Sequence, residues 1–228
     1  MNGFSYTLRL LEPVLANSLA GDINSARTLP FIPGGVIRGA MIECYQDKYK
    51  SARFDCANSD ARRLFFGSTT RFLHANPEIY GERSLPVPLS WRRLKHERLR
   101  IFDFSVNAPG VDQQFEGLGE NLYIVLKEDT AYYMDRAEHV SVHTQRDAIM
   151  GRATAEHGAV YRYEALPSGL VLRGAVLADR AEDSRALIEI MEGRTLLISK
   201  AKTAGYGHVS VEEVKVLPDD WREIGGEI

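Results

Sequence analysis

Apolar and polar positions alternate from Phe4 to Leu11, FSYTLRLL, in a run rich in strand formers. This predicts a first strand, closed by Glu12-Pro13. Residues 16–28, ANSLAGDINSART, are small and polar and read as a loop. The apolar run Leu29–Ile32 then meets Pro33 and two glycines, and a helix is expected over roughly 35–50, with Ile37, Met41 and Tyr45 at helical spacing. RRLFFGS, 62–68, is a short apolar patch. Residues 69–120 are irregular, rich in proline and glycine, and too long for a simple connector. They read as an insertion with strands of its own, such as IFDFSV.

Beyond the insertion, NLYIVLK (121–127), AVYRYEAL (159–166) and GLVLRGAVLA (169–178) read as strands, the last two joined by Pro167-Ser168 as a hairpin turn. AEDSRALIEIME, 181–192, predicts a second helix with acidic residues in its first turn, where the helix dipole favours them. TLLISKAKTAGYGHVSVEEVKVL reads as strand, glycine-bearing loop and strand. Without the insertion the order is strand, helix, strands, helix, strand. That is the split β-α-β order of a ferredoxin-like or RRM-like α+β sheet. The expected organisation is one domain over 1–228, interrupted at about 69–120.

Composition narrows the functions. The 228 residues suffice for a real core, and 44% hydrophobic with 26% charged residues describes a globular chain. A net charge of −3 excludes a polycation, so any nucleic-acid site must be a local basic patch. Cys44 and Cys56 form no metal-ligand pattern and read as free thiols in a reducing compartment. No metal or other cofactor is expected. No apolar run approaches membrane-spanning length, and MNGFSYTLRL lacks the layout of a signal peptide, so no membrane partner and a cytoplasmic location are expected.

Three segments carry candidate chemistry. The first is FIPGGVIRGAM, with Pro33, Gly34, Gly35, Arg38 and Gly39. Glycines let a ligand backbone approach, and a helix N-terminus with its unpaired N–H groups suits phosphate. A tight turn with Gly39 packed on the sheet accounts for the same pattern. The second, HTQRDAIMGRATAEHGAVYRYEAL, interleaves Arg146, Arg152 and Arg162 with Tyr161 and Tyr163, which suits single-stranded RNA; a solvated loop beside an edge strand is the plainer reading. The third, SKAKTAGYGHVSV, sets Lys200 and Lys202 before Gly205-Tyr206-Gly207, able to hold a phosphodiester and stack a base, or else a hairpin with a surface tyrosine. WRRLKHERLR, 91–100, holds five Lys/Arg against one Glu and reads as a phosphate-tracking stripe, a docking surface or a solvated face.

In this order, TLPFIPGGVIRGAM, the TQRD…GRA…GAVYRYEALPSG segment and KAKTAGYGHV resemble the RAMP superfamily of CRISPR-associated proteins. RRLFFGSTTRFLHANPE and RSLPVPLSWRRLK resemble its type III-D effector subunit, of which this chain would be an N-terminal RAMP unit or a split version. The resemblance implies an RRM-like RAMP fold. It also implies a structural subunit binding crRNA and target RNA in a type III effector complex, beside other RAMP subunits and a large signalling subunit.

Two catalytic readings stay open. Asp22, in LAGDINSART, matches the loop aspartate with which RAMP backbone subunits cut target RNA, where it would act on a ribose 2′-hydroxyl; a polar loop with an Asx turn is the plainer reading. Some RAMP relatives process RNA with a histidine, and His74, His139, His143 and His157 are candidates, though no spacing forces a pair together. A small-molecule enzyme on a ferredoxin-like fold is the alternative from another class, but neither GxGxxG after a strand nor GxxxxGK[ST] occurs.

Overall fold

The computed structural model describes residues 2–16, 25–26, 28–50, 53–106, 114–119, 122–128, 130–135, 137–145, 159–198 and 205–218. In chain order the described elements are β1 (Asn2–Leu10), β2 (Ser25–Ala26), α1 (Gly34–Tyr49), α2 (Ser59–Phe66), β3 (Thr70–Phe72) and β4 (Asn76–Ile79). There follow β5 (Glu82–Arg83), β6 (Leu85–Pro86), β7 (Trp91–Leu94), β8 (Glu97–Asp103), β9 (Phe115–Gly117), β10 (Tyr123–Lys127) and β11 (Thr130–Met134). The last are β12 (His139–Gln145), β13 (Ala159–Ala165), β14 (Val171–Ala178), α3 (Ala181–Met191), β15 (Thr195–Leu197) and β16 (His208–Val216). The chain divides into two compact units, Met1–Pro77 with Ala137–Ile228, and Glu78–Arg136.

In the first unit β1 is the central strand. Its odd and even residues separate as the alternation predicts: Phe4, Tyr6, Leu8 and Leu10 are buried, and Arg9 is exposed. It runs antiparallel to β14 from Asn2↔Ala178 to Arg9↔Val171, and antiparallel to β16 on its other side. The sheet order is β15-β16-β1-β14, with β3 and the start of β4 both against β14. Taken as β1-α1-β3-β14-α3-β16, this is the ferredoxin-like arrangement. α1 and α3 pack on one another, α3 against β1 and β14 and α1 against β3 and β15, sharing a core with Ile37, Met41, Leu187, Ile190 and Met191. Burying each such side chain stabilises the fold by about 1.5–3 kcal/mol. Gly174 lies opposite Tyr6, whose ring lies where a Cβ at 174 would stand.

The apolar patch at 62–68 is the helix α2. Asn58 caps it, its Oδ1 accepting from the N–H groups of Asp60 and Ala61, both at 3.0 Å. Ala61, Leu64 and Phe65 face the core. Arg63 ties the helix to α3: its Nε donates to Asp183 at 3.0 Å and its Nη1 to Asp60 at 2.6 Å. Asp183 is one of the acidic residues in the first turn of α3, and it is 1% exposed.

The expected hairpin between 159–166 and 169–178 does not form. β13 pairs with β12 in a second sheet, and with β2 in parallel, whereas β14 pairs with β1. Pro167-Ser168 carries the chain from one sheet to the other. Leu166 bridges to Val14, and the Gly169 N–H donates to the Leu10 carbonyl at 2.7 Å.

The second unit holds two small antiparallel sheets, β11-β10-β6 and β8-β7-β9, and β5 pairs with the end of β4. Tyr123, Ile124 and Val125 of β10 are buried. Burial pushes the Tyr123 phenol up to about 12. The strand expected at IFDFSV ends at Asp103, where its carboxylate takes the Ser105 N–H at 2.9 Å and turns the chain.

Candidate nucleic-acid interface

The mouth of α1 is built from both ends of the sequence signature. Ile32 bridges to Ala75, and Pro33 sits at the N-cap with φ −60. Proline fits there because its fixed φ suits helix entry and its missing N–H leaves no unmet donor. The two glycines that follow have different duties. Gly34 is buried against β3, where a Cβ would overlap the Phe72 carbonyl. Its N–H donates to His74 Nδ1 at 3.0 Å, and the His74 ring lies 4.7 Å from that of Phe31. Accepting at Nδ1 places the proton of the neutral ring on Nε2.

Gly35 and Gly39 are the reverse. Both are exposed, and a Cβ on either would meet nothing within 4 Å. Gly39 is therefore not the residue packed on the sheet; Gly34 is. Four residues apart, Gly35 and Gly39 share one helix face. Arg38 flanks it half-buried, its guanidinium 5.3 Å from the centre of the exposed Phe66 ring. That stacking holds the planar group at the edge of the bare face.

The Gly205-Tyr206-Gly207 loop has a corrected role. Gly205 (φ +78) and Gly207 (φ +103) take left-handed backbone, which turns the residue between them inward. Tyr206 is 4% exposed, its hydroxyl 2.5 Å from that of Ser141, its ring edge-on to Tyr163 at 6.2 Å. It is a packing residue here, not a surface ring for a base. Gly207 donates to the Pro13 carbonyl at 3.0 Å and accepts from Ile198 at 2.8 Å. His208, next in line, pairs through Nδ1 with Glu12 at 2.7 Å, which holds the Glu12 carboxyl below its usual range.

Arg162 points outward on β13, 58% exposed, 3.4 Å from Glu164. Its strand lies beside Ser25, so the end of the Asp22-bearing segment reaches this sheet. The base of that segment is pinned where the Ala16 N–H donates to Thr28 Oγ1 at 3.0 Å and Leu29 N–H to the Ala16 carbonyl at 2.7 Å. Asp22, Arg146, Arg152, His157, Lys200 and Lys202 lie outside the described residues. His139 is exposed on β12, and of His143 and Tyr161 only the backbone is described. Among the described residues no group of three or more His, Cys, Asp or Glu could hold a metal, and no helix is long and apolar enough to cross a membrane.

The sheet face turned away from α1 and α3 escaped the sequence reading. An RRM presents aromatic rings there to RNA. Here it carries ion pairs: Arg9–Glu212 at 3.0 Å, Arg173–Glu213 at 3.2 Å and Lys215–Glu213 at 3.1 Å. Lys215 and Arg173 hold the Glu213 carboxyl below its usual range. Only strand pairing could have shown these residues to be neighbours.

No protein-family model and no curated protein matches the sequence. Solved structures do. A chain of the type III-B Cmr-beta complex in its apo state is similar at a TM-score of 0.54 and 10% identity, with 92% of this chain and 96% of that one covered. The chain shares that fold. A chain of Cmr-beta bound to cognate target RNA is similar at a TM-score of 0.49 and 12% identity over 95% of this chain, which spans 60% of that chain's length. Oligomeric Cmr4 from Pyrococcus furiosus is similar at 0.45 and 15% identity, over 95% and 98% of the two chains. Within this fold FIPGGVIRG falls at the entry of α1, between the core and an open helix face.

Proposed function

We propose that this chain is a crRNA-binding structural subunit of a type III CRISPR ribonucleoprotein complex, with the RNA backbone running along the mouth of α1. One observation carries the site. Gly39 sits inside a helix, where glycine costs about 0.5–1 kcal/mol relative to alanine, and neither it nor Gly35 has an internal neighbour that demands it. A bare exposed face at a helix N-terminus, with an arginine stacked at its edge, suits a phosphodiester that must come close to the helix backbone. Pro33 and Gly34 shape the entry; Gly35, Arg38 and Gly39 make the contact. The ion-paired open sheet face favours this location over the RRM mode. Arg162, exposed on β13, adds a cation on the second sheet; Lys200 and Lys202 are proposed as further phosphate contacts, and Gly205 and Gly207 set the backbone that follows them.

The test is purification of the chain with its operon partners and sequencing of any bound RNA. Small RNAs sharing a constant repeat-derived end are the expected result. A complex that assembles without RNA contradicts the proposal.

A further inference from the structure

The sheet β8-β7-β9 of the second unit has two unlike faces. On one, Arg93 pairs with Glu116 at 2.7 Å and the Trp91 indole donates to Asp103 at 3.1 Å. The register places Arg92, Phe102 and Gly117 together on the other face, with Leu94 and Phe115. There Phe115 meets Phe102 at 5.4 Å and Phe104 at 4.9 Å, both edge-on. Arg100 lies over the Phe102 ring at 5.0 Å, and Arg92 Nη1 lies beside Gly117, 3.1 Å from where a Cβ would stand.

None of the described side chains of this sheet is fully buried, and both arginines are exposed. Neither has an ion-pair partner among the described residues, although Glu97 stands at the far end of the same sheet, opposite Leu94. Beside Arg92 opens a cleft of about 340 Å³ lined by Val87, Leu89, Trp91, Arg92, Gly117 and Gly119. Leu89, on its rim, is 90% exposed.

We infer that this Arg92/Arg100–phenylalanine face is a second single-strand RNA contact, separate from the mouth of α1. Half-exposed rings offer π-faces to bases, a guanidinium stacked on a ring keeps its N–H edge free for phosphate, and the cleft at Arg92 receives an unstacked base. Charge favours RNA over a protein partner, because Arg92 and Arg100 against Glu97 leave this face net positive, whereas Arg93 with Asp103 and Glu116 leaves the other net negative. The inference rests on the proposed function only in taking RNA as the ligand.

The test uses the full chain and an unstructured single-stranded RNA containing thiouridine, photo-crosslinked and mapped by mass spectrometry. Crosslinks should fall on β8 or β9 as well as on α1. Arg92→Gln with Arg100→Gln should raise the Kd roughly tenfold and reduce the salt slope by about 1.4. Gly35→Val with Gly39→Val should remove the α1 crosslinks and keep those on β8 and β9. Crosslinks confined to α1, or unchanged binding by the double arginine variant, overturn the inference. So does a protein that stays bound after nuclease treatment and is released by that variant. Crosslinks on β8 and β9 with none at α1 would instead overturn the proposed function and leave this inference standing.

Discussion

The N–H of Gly34 donates to Nδ1 of His74 at 3.0 Å, and the same glycine has no room for a Cβ against the Phe72 carbonyl. Gly34 is thus fixed by the fold, while Gly35 beside it is not. Gly34→Ala should destabilise the protein by about 1–3 kcal/mol through overpacking. Gly39→Ala should stabilise it by about 0.5–1 kcal/mol. Urea unfolding monitored by circular dichroism checks both signs. Equal and opposite results would reverse the assignment of the two glycines.

Among the described residues Arg63 is the ion-pair partner of Asp183, a carboxylate whose side chain is 1% exposed. Its removal leaves that charge uncompensated. Arg63→Met should cost about 3–5 kcal/mol, and adding Asp183→Leu should restore most of the loss. Unfolding midpoints of the two variants measure it. A double variant no better than the single one would show that the pair's charge is not what matters.

In the second unit, hydrogen bonds from the Ser105 hydroxyl and N–H, with others from Ser90 and the Trp91 indole, pull the Asp103 carboxyl down to about 2. Because the folded-state value lies below the unfolded one, its stabilising effect is complete above the ordinary Asp range near pH 4 and is lost as pH falls towards 2. Asp103→Asn should flatten the acid transition of this unit. Trp91 fluorescence in a Trp221→Phe background reports it, and an acid limb identical in both proteins would refute the linkage.

Tyr206→Phe removes one hydroxyl bonded to Ser141 and keeps the packed ring. It should lower stability by about 0.5–1.5 kcal/mol and leave RNA affinity unchanged. A loss of RNA affinity at unchanged stability would return Tyr206 to the role of a stacking ring.

The elements with strong periodicity were legible in the sequence: β1, α1, β14, α3 and β16 fall close to where the alternation and helical spacing place them. α2 was hidden because eight residues give barely two turns of pattern. β12 was hidden because its alternation runs the wrong way, with Val140 and Val142 exposed and Ser141 turned towards Tyr206. The hairpin expectation failed because Pro167-Ser168 announces a turn but not which strand β14 will meet. The division of labour between Gly34 and Gly35 depends on Phe72, distant in sequence and adjacent only after β3 joins the sheet. Tyr206 carried the composition of a binding loop, and only the two left-handed glycines beside it show that its ring goes inward.

The most direct measurement of the central claim is single-stranded RNA affinity of the Gly35→Val/Gly39→Val protein, beside its unfolding midpoint. Both positions open onto free space, so the variant should fold as the wild type does. The added side chains should hold a phosphodiester off the helix backbone, and binding should weaken by tenfold or more, on the order of losing a charge-assisted hydrogen bond. An RNA affinity equal to wild type in the folded variant would contradict the account and leave FIPGG as a turn.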